Sequence, residues 1–333
     1  MTSPRNPLVA ALAIVAGAAL AASATRAQQP DFDAVRVRSF QVQGAVRMLA
    51  GAGGNVTMQS GPDGVLVVDT QFAQMADKLL AEIKRVSPEP IRYIVNTHAH
   101  PDHIGGNEAF RRAGQAIIAG NVAGDIRDSG AAILAHENTQ RRMVGAAPPA
   151  PAGALPTETF FGEEDQVFFN GEAIQLIHVP AAHTDGDLLV FFRKSDVIAT
   201  GDVYVNTGYP FVDVASGGTI NGVIGGLNRI LAITVPRDKQ EGGTMVIPGH
   251  GRIADEADVV EYRDMVTIIR DRVDEMIKKG MTLEQIRAAK PTSDYDGRYG
   301  ATSGFWTTDQ FVQAVYDTLP KPAPAPAQRR GRR

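Results

Sequence analysis

The sequence predicts an α/β protein: one domain in which two β-sheets pack together, with helices on the outside. Two observations point there. Strand-like and helix-like segments alternate in two batches of similar grammar, and a Pro/Ala/Gly-rich loop at residues 145–160 (GAAPPAPAGALPTETF) separates the batches. A third observation bears on function as well: several apolar, strand-length runs end directly in a histidine or an aspartate.

The first batch opens with strands. VRVRSFQVQ alternates, GAVRMLAGAGGNV carries a glycine turn, and DGVLVVDT is a buried apolar run after an Asp-Gly turn. QFAQMADKLLAEIKRV then sets Phe72, Met75, Leu79, Leu80 and Ile83 at helical spacing, and IRYIVNT is a short buried strand leading into a histidine-rich loop. NEAFRRAG and residues 121–144 are expected as helices. In the second batch DQVFFN, EAIQLIHV, DLLVFFR and DVIATGD read as strands, a helix covers residues 219–233, and GTMVIPGHG is a further strand ending in a histidine. Residues 257–279 form a helix with Val260, Met265, Ile268, Ile269, Met276 and Ile277 on one face, stopped by Gly280. TLEQIRAAKP begins with a Thr282/Gln285 capping box and ends before Pro291.

The chain has 333 residues, 44% of them hydrophobic and 21% charged, enough for a full core. Its formal net charge of -4 gives no basic footprint for nucleic acid or an anionic membrane, so a small-molecule substrate is the expected partner. Oligomeric state cannot be read from the sequence. Residues 1–27 carry one positive charge, Arg5, then an apolar run over residues 8–22, then small residues ending at Ala27. That run is short of the roughly 20 residues a membrane span needs. A cleaved secretory leader and a periplasmic or secreted enzyme are expected, with no membrane span left after cleavage. The folded domain is expected over residues 35–318. Residues 319–333 (LPKPAPAPAQRRGRR) have no apolar face and read as a disordered basic tail. There is no cysteine, so no thiolate can serve as ligand or nucleophile, and no disulfide can staple an exported fold.

The histidines carry the functional argument. Three of the seven fall in IVNTHAHPDHIGGN, as His98, His100 and His103, with Asp102 among them. Imidazole nitrogen and carboxylate oxygen offer lone pairs at neutral pH. In extended backbone, His98 and His100 point the same way and can share one ion. Pro101 keeps residue 100 out of ordinary helix, Asp102 and His103 lie beyond the turn within reach of a second ion, and Gly105 and Gly106 are expected to give a tight turn. Further donors follow apolar strands: His183 in VPAAHTDGD, Asp202 in VIATGDVYVN and His250 in VIPGHG. The remaining histidines read otherwise, His136 as solvated surface on a polar helix end and His178 as a satisfied residue of a strand.

HxHxDH at 98–103 followed by His183, Asp202 and His250 resembles the metallo-β-lactamase superfamily of hydrolases, with a ligand set like that of glyoxalase II. The resemblance implies a four-layer αβ/βα sandwich of two similar halves, with the metals at one edge between the sheets. It implies that His98, His100 and His183 hold a first ion, that Asp102, His103 and His250 hold a second, and that Asp202 bridges them. It implies two zinc ions, with iron or manganese in some members. DGVLVVDT matches the family's first motif, with Asp69 supporting the ligand loop from below. The cysteine-using β-lactamases carry a thiolate where this chain has Asp202.

The chemistry expected is metal-assisted hydrolysis of an ester, lactone, thioester or cyclic amide by a metal-bound hydroxide, with Asp102 orienting the nucleophile. Tyr209 and Phe211, in VNTGYPFVD directly after Asp202, are candidates for an aromatic substrate wall, or else pack beneath the loop. A β-lactamase proper, a mononuclear iron oxygenase acting on sulfur, and a non-catalytic metal-binding protein are the alternatives.

Overall fold

Seven short strands hydrogen-bond in chain order into a first sheet: β1 (Arg38–Gln43), β2 (Val46–Ala50), β3 (Val56–Gly61), β4 (Gly64–Val68), β5 (Ile91–Val95), β6 (Ala132–His136) and β7 (Glu158–Phe160). Five more form a second sheet: β8 (Glu164–Phe169), β9 (Glu172–Val179), β10 (Asp187–Phe192), β11 (Val197–Ala199) and β12 (Met245–Ile247), in the order β12-β11-β10-β9-β8. The first sheet ends and the second begins just after the Pro-rich loop, where the sequence places the boundary between batches. The computed structural model describes residues 30–117, 130–239 and 242–321. The leader expected at residues 1–27 lies outside the described residues, as does the expected tail from residue 322 onward; of residues 319–321, Leu319 is buried in the core and belongs to the folded domain.

Residue alternation along each strand builds the layers, because successive side chains leave opposite faces. In β4, Val65 and Val67 point outward to a cluster with Met75, Leu79, Ile83 and Phe110, while Leu66 and Val68 point inward. In β9, Ile174 and Leu176 meet that inner layer, and Ile177 and Val179 join the other outer one. The inner layer is thus a dry seam between sheets, with Val95 and Leu134 from the first sheet and Leu188, Val190 and Ile247 from the second. Burial of one such side chain contributes roughly 1.5–3 kcal/mol. Both faces of both sheets need cover, and helices provide it: α1 (Ala76–Val86) and, after the four-residue α2 (Pro101–Ile104), α3 (Asn107–Ala113) on the first sheet, with α4 (Glu137–Gly145) after β6. On the second lie α5 (Ile220–Ile233), α6 (Glu256–Lys278), α7 (Leu283–Ala289), α8 (Asp296–Tyr299) and α9 (Thr308–Thr318). The result is the α/β/β/α sandwich the sequence predicts.

Helix starts follow local chemistry. Thr219 accepts a hydrogen bond from Gly222 N to cap α5, and capping boxes open α6 (Asp255/Asp258), α7 (Thr282/Gln285) and α9 (Thr307/Gln310). Among the described residues no helix is long and apolar enough to cross a membrane.

Three expectations need correction. The helix expected over residues 121–144 lies partly outside the described residues, and its described part opens with strand β6, paired in parallel with β5 and β7, before α4 begins. AILA is a short apolar run, and periodicity cannot distinguish a strand from a helix turn there. Second, α6 buries Val259, Tyr262, Met265, Val266, Ile269, Val273 and Ile277, a face rotated from the expected one, so Ile268 is exposed. Third, His136 is buried, not solvated: its ring stacks on His178 with centroids 3.6 Å apart and planes 8° from parallel. It sits at the end of β6, where sheet neighbours cover it.

Candidate metal centre

All seven candidate donors sit just beyond strand ends on one edge of the sandwich. β4 and β5 are parallel, and Asp69 and His98 follow their carboxyl ends. β9, β11 and β12 also run in one direction, and His183, Asp202 and His250 follow theirs. The carboxyl edge of co-directional strands is where α/β sheets collect ligand groups, because the chain must leave the ladder there and exposes its loops. His100 has extended backbone and Pro101 is the first residue of α2, as its fixed φ favours. Gly105 and Gly106 make the expected turn between α2 and α3 with ordinary negative φ, so their use is space, since a Cβ on either would strike the backbone at residues 70–73.

Three sets of donor atoms converge, each set lying within 4.8 Å of one another: His98, His100 and His183; His98, His103 and Asp202; Asp102, His103 and His250. The facing atoms are the informative part. His183 Nε2 lies 2.9 Å from His100 Nδ1, and His103 Nε2 lies 3.3 Å from His250 Nε2. Asp202 Oδ1 is 3.3 Å from His103 Nε2, and Asp102 Oδ2 is 3.2 Å from His250 Nε2. His98 Nε2 is buried with no hydrogen-bond partner at all. An orphaned buried ring nitrogen costs about 1–3 kcal/mol, and imidazole edges aimed at one another leave lone pairs that only a proton or a cation satisfies. The donor set, nitrogen and oxygen without sulfur, fits zinc, iron or manganese.

The opposite nitrogens are tied down. His98 Nδ1 is 3.0 Å from Thr97 Oγ1, His183 Nδ1 is 2.6 Å from Phe211 O, and His100 Nε2 is 2.9 Å from Asp213 Oδ2. Asp69 does the most: its carboxylate accepts from Thr97 N (2.8 Å) and Thr97 Oγ1 (2.7 Å) and lies 2.7 Å from His103 Nδ1. Its backbone is left-handed (φ 63°), a conformation asparagine and aspartate tolerate best, held by this over-determined contact set. Such partners fix ring orientation and leave the inner nitrogen for an ion. Asp187, buried so that its pKa is pushed up to about 8, binds Thr184 N and Oγ1 and pins the turn after His183. Glycines let the walls close in: a Cβ at Gly249 would collide with Asp202, and one at Gly54 with the His103 ring.

Electrostatics divide the donors. Burial holds His98 well below the ordinary histidine range and His183 down at about 4, so both are neutral donors. Burial also opposes charge on His103 and His250, but the surrounding carboxylates together outweigh it: Asp202 and Asp69 hold His103 well above the usual value, and Asp202 and Asp102 raise His250 to about 9. Against the same desolvation, the neighbouring imidazoles keep Asp202 and Asp102 below the ordinary carboxylate range, both ionised. The metal-free cluster therefore holds protons where an ion would bind, and metal and protons compete.

A cavity of about 730 Å³ opens onto this cluster, lined by His100, Asp102, Asp202 and His250 at its foot. Phe211 forms part of its wall and stacks on His100 (centroids 5.7 Å, 25°). Tyr209 also touches the cavity, but it is buried, donates its hydroxyl to Asp296 Oδ1 at 2.8 Å, and stacks on Phe311 in the core. Of the pair, Phe211 faces the site and Tyr209 supports the loop. Sequence reasoning missed Asp213 and the wall residues Phe72, Phe305 and Trp306. Asp213 lies inside the quoted loop VNTGYPFVD, and adjacent aromatics in the polar stretch ATSGFWTTDQ were the signal for the other wall.

Comparison with known proteins agrees with this geometry. Residues 50–250 match the profile of the metallo-beta-lactamase superfamily. The chain is 25% identical over 261 residues to a linear primary-alkylsulfatase of Pseudomonas sp. (strain ATCC 19151), covering 69% of this chain and 48% of that one; it spans about half the length of this curated relative. Among solved structures, a metallo-beta-lactamase from Pontibacter korlensis superposes with a TM-score of 0.55 at 16% identity, covering 70% of this chain and 99% of the other. The stereoselective inverting sec-alkylsulfatase Pisa1 from Pseudomonas sp. superposes with a TM-score of 0.60 at 16% identity, covering 84% of this chain and 50% of the other. These likenesses are to the fold. With the profile spanning more than half the sequence and ending on His250, the chain belongs to the metallo-beta-lactamase superfamily.

Proposed function

We propose that the protein is a dinuclear metal-dependent hydrolase of an ester-type bond, with zinc as the metal. The observation that carries this reading is the convergence of seven nitrogen and oxygen donors, one of them the orphaned His98 Nε2, at the foot of an open apolar cavity. His98, His100 and His183 form the first ion's site, Asp102, His103 and His250 the second, and Asp202 lies between them. Bound ions would supply Lewis acidity and a nucleophile available at neutral pH. Among the protein's own groups, Asp102 is placed to do chemistry: its carboxylate is ionised, faces the cavity and sits 3.2 Å from His250 Nε2. It is placed to orient the attacking water. Phe72, Val205 and Phe211 give the cavity beside it an apolar lining. Similarity to the Pseudomonas alkylsulfatase supports an ester-type bond and adds the sulfate ester to the carboxylic ester, lactone, thioester and cyclic amide. Export of the enzyme is proposed on the leader pattern of residues 1–27 alone.

The test reads turnover and bound metal together in two variants. Asp102→Asn is expected to lower turnover of an activated ester by about 10²–10⁴-fold. His100→Ala is expected to lose metal and activity together. Near-normal turnover in both variants would contradict the assignment.

A further inference from the structure

The profile match ends at residue 250, yet one wall of the cavity comes from beyond it. Tyr299, Ala301, Phe305 and Trp306 line the space opposite the metal-ligand loops. Trp306 Nε1 donates to Pro210 O at 3.1 Å, which pins this segment against the loop that carries Phe211. Phe211 then meets both aromatics edge to face, Phe305 at 5.0 Å and Trp306 at 4.7 Å between centroids, and its other side stacks on His100. A continuous aromatic surface therefore runs from a candidate metal ligand to the mouth of the cavity. At that mouth Phe305 is 68% exposed. An exposed phenylalanine on a mainly apolar wall, continuous with a reactive centre, is placed to gain contact area only when something apolar covers it. Aromatic rings hold flat or chain-like apolar groups with little loss of side-chain freedom.

We propose that residues 299–308 form a specificity wall: Phe211, Phe305 and Trp306 hold an apolar aryl or alkyl group that extends from the scissile bond toward the cavity mouth. This deepens the hydrolase reading and rests on it. The substrate class is accordingly an ester-type compound with a sizeable apolar body. Acetyl-sized substrates leave the wall empty. Cavity size agrees, since about 730 Å³ is in the range of sites that enclose a drug-sized molecule.

Trp306 is the only tryptophan in the chain, so its fluorescence reports wall occupancy without any turnover. The metal-loaded full chain is titrated with 4-phenylbutanoate and, separately, with acetate. The expected result is a saturable change in Trp306 emission with 4-phenylbutanoate and none with acetate over the same range. In kinetics, Phe305→Ala, a substitution at an exposed side chain, is expected to raise KM for 4-nitrophenyl 4-phenylbutanoate about tenfold. Its kcat, and both constants for 4-nitrophenyl acetate, should stay within about twofold. Emission that ignores 4-phenylbutanoate, or equal effects of Phe305→Ala on both esters, would overturn the wall. A saturable emission change without hydrolysis of either ester would uphold the wall and reject the carboxylic-ester form of the hydrolase reading. Hydrolysis of both esters at equal efficiency would do the reverse.

Discussion

Two groups of histidine lie in ring contact in this protein, and they differ completely in how the rings meet. Around His98 the rings meet edge to face, as with His98 and His183 (4.6 Å, 88°), so that nitrogens converge on common points. His136 and His178 instead stack flat, 3.6 Å apart, and their edges point elsewhere: His136 Nδ1 accepts from Asn138 N, and His178 Nε2 lies 2.9 Å from Asp185 O. The first arrangement gathers lone pairs and carboxylates, with Asp102 and Asp202 inside the cluster. The second spends its nitrogens on the backbone, and no carboxylate joins the pair to form a metal-binding group among the described residues. Ring orientation, more than histidine density, separates a metal centre from a packed pair.

The contrast can be broken most severely at His98. His98→Ala is expected to reduce bound metal and cut turnover at least a hundredfold, since it removes a donor common to two of the converging sets. His178→Phe, which keeps the stack, should leave metal content unchanged; metal analysis of the two purified variants side by side reads the difference. A smaller loss is expected from the support beneath the rings. Asp69→Asn keeps the size but weakens the grip on His103 Nδ1 and Thr97, and metal affinity measured by competition with a chelator should fall about 10–100-fold. Of the candidate ligands Asp213→Asn touches only His100, at the more open side, and metal affinity should fall toward the low end of that range.

The smallest effect sharpens the other side of the comparison. Burial, and then the neighbouring His178, lower the His136 pKa to about 4, against about 6.5 in an unfolded chain. Between those values the unfolded chain takes up a proton that the folded one refuses. The contribution of neutral His136 is therefore complete above pH 6.5 and is lost as pH falls toward about 4. Urea unfolding at a series of pH values should show this decline, and His178→Phe should shrink it. An unchanged pH slope in that variant would mean that the His178 imidazole does not help to set the His136 pKa.

Much of the fold was legible because both sheets are covered on both faces. That makes the strands short continuous apolar runs, each bounded by a turn, and DGVLVVDT or DLLVFFR can hardly be anything else. The exception, AILAH, fails for the same reason: five residues of apolar sequence beside a helix do not reveal their period. The donors were legible because each follows such a strand, and the structure brings all seven to one edge. What the sequence hid depends on distance in space. Asp213 meets His100 across 113 positions, and Trp306 meets Pro210 across 96. No local pattern announces either contact. His136 was misread because its burial comes from Phe160 and His178, on strands remote in sequence.

The measurement that bears most directly on the centre is elemental analysis of the purified protein, expressed without metal supplements and reported as ions per chain. The account predicts close to two divalent transition ions per chain, with zinc predominant, and a clear fall in His98→Ala. A wild-type protein that retains no tightly bound metal, or a His98→Ala variant that retains as much as the wild type, would contradict it.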